Sequence, residues 1–149
     1  ALWVIGYGIV QSQAPRITGK AQGKVPDGHA AFRWALGLSI VTAAVALGIS
    51  QNWHPQWVIV IGLMLFGAVF AVNSSLHSYL IVSYAKGDGV SLDVGFYYMA
   101  NAMGRLIGTI LSGYLFQVSG LAACLWVSLG FLIVTSIISL RLPRLSSQN

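Results

Sequence analysis

Residues 92–118 read LDVGFYYMANAMGRLIGTILSGYLFQV, and after Asp93 they hold a single charge, Arg105. A helix that crosses a bilayer needs about 20 mostly apolar residues, and this run supplies them. Asp93 stands at its start, where the positive end of a helix favours a carboxylate. At about 1.5 Å per residue, Arg105 falls near the middle of the span. A charge at that depth costs roughly 2.5–3.5 kcal/mol on insertion scales, and such residues nearly always face a bundle interior or a water-filled path. Asn101 and Tyr97 precede Arg105 at intervals of four and share its face. Ala100, Gly104, Gly108 and Ser112 also recur every four positions, on the adjacent face, as a small-residue stripe that lets another helix approach closely.

The rest of the chain has the same character. Of its 149 residues 56% are hydrophobic and 7% charged, whereas soluble domains carry about 25% charged residues. The expected fold class is therefore all-α, a polytopic transmembrane helix bundle. Further complete spans are expected at about residues 32–51, 57–84 and 121–140, besides 92–118. Residues 1–14 are apolar but too short to span, and Pro15 is expected to stop the helix. With no basic n-region and no cleavage site, this opening is not a signal peptide. It predicts a partial helix, and the chain reads as residues 1–149 of a longer membrane protein.

The formal charge of +5 is distributed in a way that argues against nucleic-acid binding. Arg16, Lys20, Lys24 and Arg33 lie in or beside one connection, Lys86 in another, and Arg141 and Arg144 in the tail, while NWHPQW (52–57) and QVSG (117–120) carry none. Alternation of that kind is the positive-inside pattern. It predicts cytoplasmic basic segments, a cytoplasmic C-terminus, and Trp53 and Trp57 in the outer aromatic belt with Trp34 near the inner one. One cysteine, Cys124, permits no internal disulfide and reads as a small core residue.

Polar side chains also interrupt the span before Arg105. Asn73 lies about one turn inward of that helix's centre, His77 follows one turn later, and Ser74 and Ser78 sit beside them. The expectation is that Arg105, Asn101, Asn73 and His77 line a substrate path between neighbouring antiparallel helices. The bland alternatives are a permanent acidic partner for Arg105 and simple interhelical hydrogen bonds for the amides, worth about 0.6 kcal/mol each. A histidine can also carry a coupling proton. No catalytic motif, metal-ligand cluster or phosphate-cradling loop is present, so no enzyme activity, cofactor or metal is expected.

Three strings narrow the reading. LWVIGYGIVQSQAP (2–15), LFGAVFAVNSSLHSYLIVSYA (65–85) and DGVSLDVGFYYMANAMGRLIGTILSGYLFQ (88–117) resemble the ArsJ-type organoarsenical efflux permeases of the major facilitator superfamily. The resemblance covers nearly the whole chain and implies the C-terminal part of a twelve-helix transporter, residues 1–14 belonging to helix 8. It further implies export of 1-arseno-3-phosphoglycerate across the bacterial inner membrane, arsenate resistance, and a functional link to a glyceraldehyde-3-phosphate dehydrogenase that makes this anion. The missing N-terminal half of the transporter would be its partner within the lipid bilayer. The family's Gly…Asp-Arg…Gly-Arg loop signature is incomplete: APRITGKAQGK (14–24) keeps Arg16, Gly19 and Lys20 without an acidic residue. The rival functions are another facilitator exporting organic anions, sugar phosphates or drugs, and a non-transporting membrane scaffold.

Overall fold

A polar N–H or C=O in hydrocarbon finds no water, so a chain this apolar satisfies its backbone within helices. The computed structural model describes residues 2–17, 28–84 and 90–141, and among them the regular structure is helical throughout. The elements are α1 (Leu2–Ile17), α2 (Gly28–Ser50), α3 (Pro55–Tyr84) and α4 (Val90–Ser139). Three helices are long and apolar enough to cross a membrane: Gly28–Ser50, Pro55–Val82 and Ser91–Ser139. α1, at 16 residues, is shorter than a span.

α1 runs past Pro15 to Ile17, which corrects the expectation that the helix stops at residue 14. A proline inside a helix gives up its own N–H bond and crowds the carbonyl four residues earlier, which weakens or kinks the helix, but its fixed φ is compatible with helical backbone. The helix therefore continues for two residues before it ends.

α2 and α3 form an antiparallel pair joined by a tight turn at residues 51–54, where Asn52 and His54 take positive φ. The side chains fix the register: Gly37 opposes Val69, Gly62 opposes Val45 and Gly48 opposes Val58. A β-carbon on Gly48 would come within 2.9 Å of Val58 Cγ1, and one on Gly62 would collide with Val45. Missing side chains thus let these two helices approach closely. Farther along, Ala31, Leu76 and Leu80 form the buried core, flanked by Ala30 and Trp34. The hydroxyls buried in α2 are satisfied locally: Ser39 donates to the Ala35 carbonyl and Thr42 to that of Leu38, both at 2.9 Å. α1 packs against α3, with the Tyr7 and Phe70 rings 6.4 Å apart.

α4 comprises 50 residues broken at Gly120, which has φ 77° and ψ −175°. That conformation is essentially restricted to glycine. A straight helix would separate residues 112 and 124 by about 18 Å, yet the Cys124 thiol lies 3.4 Å from the Ser112 carbonyl and donates to it. The chain therefore reverses at Gly120 into two arms, 90–119 and 121–139. The expected polar connection at QVSG is replaced by helix up to that one residue. The second arm is tied to the end of α2, where Trp126 Nε1 donates to Ser50 Oγ at 3.3 Å.

Candidate functional site

Arg105 stands halfway along the first arm of α4, fifteen residues from Val90 and fifteen from Gly120. Residues 101–110 are all uncovered by the rest of the described chain. Among the described residues the Arg105 guanidinium has no ion pair and no hydrogen bond. Its backbone carbonyl accepts from Thr109 Oγ1 at 2.8 Å. Asn101 is exposed one turn away on the same face, and Tyr97 is half-buried, its ring 5.5 Å from that of Tyr98 in an edge-on contact.

Asn73 and His77 have a different setting. Both are half-buried on α3. His77 Nδ1 lies 2.9 Å from the Asn73 carbonyl; a carbonyl can only accept, so Nδ1 carries the proton and Nε2 is left as an acceptor. Among the described residues Asn73 Oδ1 is buried without a hydrogen-bond partner. An orphaned acceptor of this kind costs about 1–3 kcal/mol, which makes it a place where a donor is wanted.

The four expected site residues thus form two pairs, and no hydrogen bond joins Asn73 or His77 to Asn101 or Arg105 among the described residues. α4 lies mainly against α2 and only lightly against α3. The two polar pairs share a similar depth by residue count along their helices. Across from Ala100, Gly104 and Gly108 no described helix is seated: all three are exposed, and a β-carbon on Gly104 or Gly108 would meet nothing within 4 Å; at Ser112 the second arm comes near, its Cys124 thiol donating to the Ser112 carbonyl. The close-approach glycines among the described residues include Gly48 and Gly62, whereas the four-residue stripe faces outward.

A recess at the end of the bundle where α1 finishes and α2 begins escaped the sequence reading. It has a volume of about 370 Å³ and is lined by Ile17, Ala30, Arg33, Trp34, Gly37 and Val69. The signal was available: Ala30, Arg33, Trp34 and Gly37 follow one another at helical spacing on a single face of α2. By sequence alone Arg33 reads as a basic residue flanking a connection.

Several long apolar helices, reversing at a turn and at a glycine, define a multi-pass helical membrane protein. Residues 27–149 match the family Major Facilitator Superfamily. The chain belongs to that superfamily, whose members are secondary transporters. No curated protein and no solved structure matches it.

Proposed function

We propose that the protein containing this chain exports an anionic organoarsenical, 1-arseno-3-phosphoglycerate, from the cytoplasm and so confers arsenate resistance. The observation that carries this reading is the Arg105 guanidinium, unpaired among the described residues, halfway along the first arm of α4. A planar guanidinium binds phosphate or arsenate oxygens in a bidentate fork, and its desolvation is compensated only when such an anion arrives. Asn101, one turn away, supplies an amide to the same ligand. Asn73, with its orphaned Oδ1, accepts from a substrate hydroxyl, and His77 holds the Asn73 backbone in place while offering Nε2 for a coupling proton. The resemblance of residues 2–15, 65–85 and 88–117 to the ArsJ-type permeases supports the organoarsenical as cargo.

In this reading the path is completed by further helices of the same transporter, which cover the Ala100–Gly104–Gly108–Ser112 stripe and rock against this part in alternating access. The protein resides in the bacterial inner membrane with its C-terminus in the cytoplasm. A glyceraldehyde-3-phosphate dehydrogenase acting with arsenate supplies the substrate.

The test is arsenate resistance in cells expressing the full-length transporter with its dehydrogenase, comparing the native protein with Arg105→Lys and Arg105→Ala at matched membrane levels. Loss of resistance in both variants supports bidentate handling of the anion. Unchanged resistance overturns it, and loss of the protein from the membrane assigns Arg105 to a structural ion pair. If the native transporter gives no resistance but exports another organic phosphate, the cargo is wrong and the guanidinium site stands.

A further inference from the structure

The recess between the ends of α1 and α2 has three properties that a mere gap in packing lacks. Its volume, about 370 Å³, lies within the range of small-molecule sites. Its walls come from three helices, Ile17 from α1, Ala30 and Gly37 from α2, and Val69 from α3, with one cation and one indole, Arg33 and Trp34, on the same stripe of α2, so that polar and apolar surface line it about equally. Arg33 has no ion pair or hydrogen bond among the described residues.

Depth assigns the ligand. Arg33 precedes Ser50 by seventeen residues, which places it about 26 Å along the helix axis from the end marked by Trp53 and Trp57. A hydrocarbon core is about 30 Å thick, so Arg33 lies at its opposite boundary, on the side where Arg16 and Arg141 also end. An indole belongs at that boundary too. Gly37 and Val69 carry the recess toward the membrane centre: from Ala30 to Gly37 is seven residues, or about 10 Å along the axis. The recess thus has its cation at headgroup level, while Ile17, Ala30, Gly37 and Val69 supply apolar side chains and backbone to its lining.

We propose that this recess is a binding site for an anionic phospholipid of the inner leaflet. The Arg33 guanidinium holds the phosphate, the Trp34 indole lies at the glycerol level, and Ile17, Gly37 and Val69 enclose the start of an acyl chain. The site is separate from Arg105 and does not depend on the cargo. Free phosphate shares the headgroup's chemistry but leaves the apolar part of the lining uncovered, and the experiment distinguishes the two.

The full-length transporter is purified in detergent, and displacement of a fluorescent phosphatidylglycerol is measured with unlabelled phosphatidylglycerol, phosphatidylcholine and inorganic phosphate as competitors. Phosphatidylglycerol is expected to displace the probe far better than the other two. Arg33→Gln is expected to weaken binding by more than the about five-fold that a single surface cation contributes at an anionic leaflet, and Arg33→Lys to retain part of it. Gly37→Leu fills the recess and keeps the charge, so it is expected to abolish the preference as well. A β-carbon at Gly37 would make ordinary van der Waals contact with Val69 Cγ1 at 3.9 Å. Arg141→Gln, at a basic residue outside the recess, leaves binding unchanged. The proposal is overturned if Arg33→Gln binds as the native protein does, if Arg141→Gln weakens binding equally, or if inorganic phosphate competes as well as the lipid. Should Gly37→Leu fail to fold, the comparison of Arg33→Gln with Arg141→Gln decides alone.

Discussion

Arg105 and Asn73 put the same physical question in opposite forms. One is an uncompensated donor on an open helix face, the other a buried acceptor without a donor. For Arg105→Ala, removal of charge-assisted bonds worth about 1.5–3 kcal/mol is expected to lower the apparent affinity for the anionic cargo ten- to hundred-fold, read as a shift in the concentration dependence of uptake into everted vesicles. Asn73→Leu separates cargo contact from packing. It removes an acceptor that costs about 1–3 kcal/mol when unpaired, so the melting temperature is expected to hold or rise while transport falls. A lower melting temperature with unchanged transport would assign Asn73 to packing. Both residues were legible in the sequence, because a polar side chain in an apolar run is conspicuous. Their separation into two pairs was not, because periodicity along one helix carries no information on which neighbour that helix faces.

Among the elements, the glycines divide by what lies opposite them. Gly62 meets Val45 and Gly48 meets Val58, whereas Gly104 and Gly108 face open space within the described chain. Overpacking a close contact costs about 1–3 kcal/mol, so Gly62→Leu is expected to lower the thermal midpoint and the membrane level of the full-length protein. The comparison with Gly104→Leu then tests whether further helices seat on the stripe. Equal damage means that they do, and no damage means that the stripe faces lipid. Gly120 is constrained by its backbone instead. Its φ of 77° and ψ of −175° are costly for any residue with a β-carbon, so Gly120→Ala is expected to destabilise the reversal by about 1–3 kcal/mol, read by thermal unfolding in detergent. The four-residue spacing of small residues was visible in the sequence, but spacing alone did not separate a packed glycine from an uncovered one.

At the scale of the whole molecule, the described helix ends fall into two groups. Ser50, Pro55 and the Gly120 reversal lie at one end, and Ile17, Gly28, Tyr84, Val90 and Arg141 at the other. The connections carrying Lys20, Lys24 and Lys86, and the tail carrying Arg144, join the second group by sequence. If that end is cytoplasmic, a single cysteine placed at Asn52 in a Cys124→Ser background is labelled by an impermeant reagent in intact cells, and one placed at Ser147 only after lysis. The reverse pattern would invert the topology and move the proposed lipid site to the outer leaflet.

Composition and hydropathy by themselves determined that this is an all-helical, multi-pass membrane protein. The cost of leaving backbone polar groups unpaired in hydrocarbon leaves only helices or a closed barrel, and unbroken apolar runs of about 20 residues or more select helices. The sequence also placed a charge at mid-depth, since the rise per residue converts position into depth directly. Only the tertiary structure decided that α4 turns back at one glycine, that Asn73 Oδ1 is stranded among the described residues, and that Arg33 and Trp34 open onto a recess. Each of these depends on which side chains come together from distant parts of the chain, and close packing is a property of pairs of helices that no single helix contains.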